Sequence, residues 1–218
     1  MEKDTSIIFI VKHKEYNNPI PKNYKEIYVG DMFKKNDDNI NYLNPYINEA
    51  TAIYDIWKHF KGDIMGLCHY RRYFYEDDIL SLKSAKNVLK THDIIITKDV
   101  IFDKGIYKQL SSEFTFYDRL ILDKYYNILI KKEPQLEEWF RFNHFSPKEM
   151  FVCKKELLDQ YCEWLFPLII PITEQFVKED VDMVSNKRMI GHLVERLFAY
   201  WIWKNSLKCY RMEYVDLW

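Results

Sequence analysis

Four short apolar runs, SIIFIV at 6–11, IMGLC at 64–68, DIIIT at 93–97 and MFVC at 150–153, are separated along the chain by stretches of helical periodicity. A continuous apolar run of this length fits a strand covered on both faces. Such strands alternating with helices predict an α/β fold with a mostly parallel central sheet. EIYV at 26–29 reads as a further strand ending at Gly30, and CYRMEYV at 209–215 as one closing a sheet edge. Asn44 and Pro45 mark a helix start, an N-cap side chain followed by a residue whose missing N–H costs nothing there. Tyr46, Ala50, Ile53, Tyr54 and Trp57 then recur at helical spacing up to Gly62. Helices are also expected near 79–90, 116–130 and 135–142, and over LLDQYCEWLFPLI and RMIGHLVERLFAYWIW, which leaves a largely helical C-terminal part. DMFKKNDDNINYLN at 31–44 reads as a long polar loop, and such loops inside compact domains usually carry function.

With five glycines, seven prolines and no repeat or low-complexity linker, the 218 residues read as one domain, 1–218. Thirty-two Lys and Arg against thirty-three Asp and Glu leave a net charge of -1, so no global field attracts polyanions. General nucleic-acid binding is disfavoured, and any anion site must be local. No apolar run reaches the roughly 18 to 20 residues that span a bilayer, and MEKDTSIIFIVKHK is too short and acidic for a signal peptide. The expected location is the cytoplasm. Cys68, Cys153, Cys162 and Cys209 lack any C-x-x-C spacing, which suits reduced thiols rather than a zinc site. Seventeen Tyr and six Trp are more than a minimal core requires; such rings fill interiors and also line sugar and base sites.

The densest chemistry lies in GDIMGLCHYRRYFY at 62–75, where an apolar strand ends in His69, Tyr70, Arg71 and Arg72. In α/β sheets ligands gather beyond the carboxyl ends of the strands. A guanidinium forks onto phosphate or carboxylate through two parallel hydrogen bonds and stays charged, which suits a pyrophosphate. Extended backbone sends Arg71 and Arg72 to opposite faces, so both serve one ligand only if the chain turns. The alternative is a solvated strand end whose arginines stack on Tyr70 and Tyr73 or pair with Glu76, Asp77 and Asp78. His13, between Lys12 and Lys14, ends the first strand and is either surface or phosphate-facing. Arg188, Gly191, His192 and Glu195 share one helical face, so that Arg188 could reach phosphates while Glu195 orients it or a sugar hydroxyl. An internal Arg188–Glu195 or Glu195–Arg196 pair is the alternative. Asp180-Val181-Asp182, near His192, offers oxygen ligands for Mg²⁺ or Mn²⁺, or else forms a polar helix-to-helix connection.

GLCHYRRYF, the first strand running into KHK, DNI…N…NEATAIYDIWK, EMFVCKKELLDQYCEWLF and the late R-x-x-G-x-x-x-E-R-L occur in one order along most of the chain. In these motifs the chain resembles a family of bacterial capsular and exopolysaccharide glycosyltransferases long filed as a domain of unknown function. The resemblance implies a GT-A-like enzyme that moves a hexose, galactofuranose in some relatives, from a UDP-sugar to a capsule, O-antigen or exopolysaccharide acceptor. That acceptor would be lipid-linked and met at the inner face of the cell membrane through peripheral contact. Where many GT-A enzymes carry a metal-holding Asp-x-Asp, this chain reads His69-Tyr70-Arg71-Arg72, which implies that protein cations replace the metal. Donor-binding positions implied by the match are His13, Asp38, Asn39, His69, Tyr70, Arg71, Arg72, Arg188 and Glu195, with Asn44 assigned to capping. Glu49, Tyr54 and Trp57 match helix positions, Trp57 as core. For the base that an inverting transfer needs, Asp118 in FTFYDRL resembles a recurrent family Asp. Glu149 is the second candidate, at a position where many members have Asn. Two rival readings are a noncatalytic nucleotide- or glycan-binding module and a metal-dependent transferase using Asp180 and Asp182.

Overall fold

The computed structural model describes residues 5–16, 20–34 and 38–217. Strand β1 (Ile7–Lys12) pairs in parallel with β2 (Tyr24–Tyr28) on one edge and with β3 (Ile64–His69) on the other, with Val11 opposite His69. All six residues of β3 are buried, as its unbroken apolar run predicts. Its far edge is shared. Ile64 to Leu67 pair antiparallel with β8 (Phe151–Lys154), and His69 alone pairs with Arg72 of β4 (Arg72–Tyr75) across a tight turn. Gly66 permits the close approach: a Cβ there would lie 2.9 Å from Val152 Cγ2 and 3.0 Å from the Phe151 carbonyl oxygen.

Beyond β4 the sheet continues through β9 (Cys209–Asp216) to β5 (Ile94–Thr97), and β5 pairs back onto β8. Strands β3, β4, β9, β5 and β8 therefore close on themselves, while β1 and β2 extend outward from β3. Of the seven pairings in this sheet three are parallel and four antiparallel. The sequence expectation of a mostly parallel, Rossmann-type sheet is thus corrected to a mixed, partly closed one. CYRMEYV does not close an edge either, because β9 is inserted between β4 and β5. A two-stranded ribbon, β6 (Val100–Ile101) with β7 (His144–Phe145), stands beside the main sheet.

The helices cover both faces. The expected helix at Asn44 is two pieces, α1 (Asn44–Ile47) and α2 (Ala50–His59), broken at Asn48, whose φ of 51° is left-handed. Asn44 is the first residue of α1 rather than its cap. Its Nδ2 donates instead to the Asn48 carbonyl at 3.2 Å and to Thr51 Oγ1 at 2.8 Å, which fastens the break. Helix α3 (Leu82–Val88) covers the smaller apolar layer; α4 (Ile106–Ser112), α5 (Phe116–Lys132) and α6 (Gln135–Trp139) contribute to the larger one. Most of that larger core lies between the sheet and two long helices, α7 (Lys155–Glu179) and α8 (Met189–Lys204). Phe166 of α7 sits 4.9 Å from the Tyr54 ring and stacks on Trp57 at 5.7 Å, so Trp57, expected in the core, is half-buried and packs against its edge. Each fully buried Leu, Ile or Phe in these layers contributes about 1.5 to 3 kcal/mol. All four cysteines are free thiols.

Candidate active site

A polar cavity of about 350 Å³ opens at the carboxyl ends of the neighbouring parallel strands β1 and β3, between the first turns of α2 and α8. His13 comes from the end of β1, and His69, Tyr70, Arg71 and Arg72 from β3 and its turn. Asn48 and Glu49 come from the α1–α2 break, Lys148 and Glu149 from the approach to β8, and Arg188, Gly191, His192 and Glu195 from α8. Eight of the catalytic and donor-binding candidates, His13, His69, Tyr70, Arg71, Arg72, Glu149, Arg188 and Glu195, are therefore gathered around one space. The turn after His69 resolves the alternation of the arginines. Because the chain reverses at Tyr70 and Arg71, both Arg71 and Arg72 line the same cavity. A side chamber of about 180 Å³, walled by Val11, Val29, Pro45 and Tyr70, shares His13, Asn48, Glu49 and Arg188 with it. A larger depression of about 870 Å³ beside α3 is lined by lysines, serines and asparagines without a carboxylate or imidazole, and chemistry rather than size places the site.

The cations are held, not loose. Arg72 pairs through Nε with Asp216 of β9 at 2.9 Å and points Nη1 at His69 Nδ1, 3.3 Å away. His69 Nε2 lies 2.8 Å from the Lys148 carbonyl, which can only accept, so Nε2 carries a proton and Nδ1 is left to accept. Arg71 lies 5.7 Å from the Tyr70 ring, and its carbonyl accepts from the Leu217 N–H at 2.7 Å. Arg188 donates from Nε to Asn48 Oδ1 at 2.7 Å rather than pairing with Glu195. His13 packs edge-on against Tyr70 at 5.1 Å. Partial burial lowers its pKa, and the cations Lys14 and Arg188 add to this while Glu49 opposes it.

Three of the non-glycine residues with left-handed backbone, Asn48, Lys148 and Glu149 (φ 51°, 79° and 54°), line this cavity. Such conformations cost about 1 to 3 kcal/mol each and persist only when surroundings over-determine them. Here the restraint is Glu195, whose Oε1 accepts the Lys148 N–H at 2.6 Å. The Glu195–Arg196 pairing is also present, at 3.5 Å. The Glu149 side chain is almost fully buried, with one hydrogen bond, from Tyr161 at 3.2 Å. Burial drives its pKa well above the carboxylate range, and the nearby charges of Glu49 and Glu195 add to the shift. Gly191 lets α8 seat against the α1–α2 break: a Cβ there would lie 2.3 Å from Asn48 Nδ2.

The family model described as a domain of unknown function, DUF4422, matches residues 7–208. The chain belongs to this family. No curated protein gives a significant match. Among solved structures, the apo form of a protein described as the bifunctional glycosyltransferase WbbM shares the fold, with a TM-score of 0.73 at 21% identity, over 98% of this chain and 45% of that one. The DUF4422 chain therefore spans less than half the length of that bifunctional protein.

Five predicted positions of this DUF4422 chain lie elsewhere. Asp118 does not line the cavity; its carboxylate accepts from the Ser185 N–H at 2.8 Å and from the Ser185 hydroxyl. Burial opposes its ionisation, but these bonds together with those from Thr115 bring its pKa below the ordinary value. It fastens the first turn of α5 to the segment before α8. Asp38 accepts from the Tyr54 hydroxyl at 2.7 Å and lies 3.6 Å from Lys58 Nζ; Asn39 caps a local turn through the Asn41 N–H. Asp180 is buried against Lys124 Nζ at 2.6 Å and the Tyr125 hydroxyl, whereas Asp182 is exposed, so the two do not converge. Among the described residues no group of three or more His, Cys, Asp or Glu is arranged to hold a metal ion. The donor set at His69–Arg72, cationic and imidazole, does not fit a divalent ion. Asn48, Lys148 and His192 were not assigned from sequence to the donor site; the break at Asn48 and the strained pair before β8 are tertiary features.

Proposed function

We propose that this domain is a glycosyltransferase that moves a hexose from a UDP-sugar to a surface-polysaccharide acceptor and holds the donor diphosphate with protein cations instead of a metal. One observation carries the reading: Arg71, Arg72, Lys148 and Arg188 converge on a cavity at the carboxyl ends of β1 and β3, against only three carboxylates. Four cations against three carboxylates leave the lining net positive, and burial raises the pKa of one of the three, Glu149. The first turns of α2 and α8 also face it, and helix N-termini favour anions. The WbbM fold and the sequence resemblance support the same class of chemistry.

In the transfer, the bond between the anomeric carbon and the diphosphate oxygen breaks, an acceptor hydroxyl oxygen bonds to that carbon, and the hydroxyl proton passes to a base. Charge accumulates on the departing diphosphate, and fixed cations stabilise it without reorganising. Asp118 is committed to Ser185, so of the two sequence candidates Glu149, which lines the cavity, is assigned as the base, and activity is expected to rise with pH as Glu149 ionises. The chamber bounded by Val11, Val29 and Pro45 suits the nucleobase. Galactofuranose as the sugar, a lipid-linked acceptor and a cytoplasmic location at the inner membrane face follow from the resemblance. No described helix is long and apolar enough to cross a membrane. Binding without transfer is the second reading, favoured by the engagement of Asp118.

A panel of UDP-, GDP- and dTDP-sugars, tested for thermal stabilisation with and without chelator and then for nucleotide release with glycan acceptors, checks the proposal. Stabilisation by a UDP-sugar that survives chelator, with UDP released, is the expected result. Binding that needs metal returns weight to a metal-dependent enzyme, and binding without release to the noncatalytic module.

A further inference from the structure

A second cleft, of about 210 Å³, lies further along α8 than the first. Gly191, His192 and Glu195 line the cationic cavity, whereas Ala199, Ile202 and Trp203 line this one. At 1.5 Å rise per residue the two sets are separated by about 13 Å along the helix. The segment running from His144 to Glu149 joins them: its first three residues border the cleft, and Lys148 and Glu149 border the cavity.

The lining combines ring faces with a charged pair. Trp203 is partly exposed and packs edge-on against Phe142 at 5.5 Å, and His144 lies parallel to Phe142 at 6.3 Å. Arg211 of β9 donates from Nε to Asp99 Oδ1 at 3.1 Å. Among the described residues neither the terminal nitrogens of Arg211 nor Oδ2 of Asp99 has a protein partner. Aromatic rings at a wet edge offer apolar area to a ring of C–H bonds, while an adjacent carboxylate and guanidinium accept from and donate to hydroxyls. A saccharide ring presents both kinds of surface; a simple anion or an apolar segment uses only one.

We infer that this cleft binds a saccharide unit of the acceptor glycan, one or more residues away from the hydroxyl that reacts in the cationic cavity. As an acceptor subsite the inference rests on the proposed transferase reading, but its test is independent of the donor. Methyl glycosides of glucose, galactose in pyranose and furanose forms, mannose, rhamnose and N-acetylglucosamine are screened by saturation-transfer NMR against the whole chain, with UDP affinity measured in parallel. At least one glycoside is expected to bind, with affinity falling fivefold or more in both Trp203→Ala and Asp99→Asn. Both variants should keep the UDP affinity of the parent protein, and Trp203→Phe should retain glycoside binding. No binding across the panel, or binding that survives both substitutions, overturns the subsite and leaves the donor reading standing. Glycoside binding lost in the variants, in a protein that fails to bind UDP, supports the saccharide site and removes the transferase reading instead.

Discussion

Glu149 concentrates the physical cost of the site in one side chain. Its folded-state pKa is raised, so the native protein holds this proton more tightly than the unfolded chain does. Near pH 4 both states bind the proton and there is no penalty. As pH rises, the unfolded carboxyl ionises first, and stability falls by about 1.4 kcal/mol per unit until the native pKa is passed. Glu149→Gln keeps an acceptor for Tyr161 and removes this loss. Melting temperatures should therefore coincide near pH 4, with the variant several degrees higher at pH 8; equal melting at both would show that the carboxyl ionises freely in the fold. Arg72 is held differently, by an ion pair with Asp216 in which both side chains remain partly exposed although the paired atoms are buried. Such pairs are worth about 0.2 to 1 kcal/mol. Asp216→Asn should weaken UDP binding only a few-fold, by titration calorimetry. At this scale the sequence was legible where a charge cannot be explained as core: Arg71, Arg72, Arg188 and His13 all reach the cavity. That Asp118 faces Ser185 and not the cavity was not legible, because a helix acid three residues from a threonine cap looks the same whether it faces a ligand or a serine.

The elements that build the site are those whose geometry the sequence conveys least directly. The buried strand β3 is plain from IMGLC, but β4 is not, since RYFY continues the same string and only the His69–Arg72 pairing shows that the chain has reversed. Likewise the helix after Asn44 reads as continuous, and its break at Asn48 depends on contact with α8. Gly191 is the test of that contact. A methyl group there meets Asn48 Nδ2 and the Tyr46 carbonyl oxygen, 3.0 Å away, so α8 must shift outward. Gly191→Ala should cost about 1 to 3 kcal/mol by denaturant unfolding and weaken nucleotide binding, because Arg188 rides on the same turn. An unchanged midpoint would mean that the break yields freely.

For the molecule as a whole, the α/β class and the long C-terminal helices were readable from periodicity, whereas the closure of the sheet was not. The run of strands and helices is one-dimensional, and nothing local in CYRMEYV says that it enters between β4 and β5 instead of flanking them. That insertion serves the site. The same strand that completes the ring carries Asp216 to Arg72 and Arg211 to Asp99, so the cationic cavity and the second cleft share a support. The central proposal is that guanidinium and ammonium groups, without a metal ion, hold the donor diphosphate. Calorimetric titration with UDP and UMP in the presence of chelator, on the parent protein and on Arg71→Ala and Arg72→Ala, tests it most directly. The account predicts that UDP binds at least tenfold more tightly than UMP without metal, and that either substitution removes most of this advantage. Equal affinities for the two nucleotides, or a preference for UDP that emerges only when Mn²⁺ is added, would contradict it.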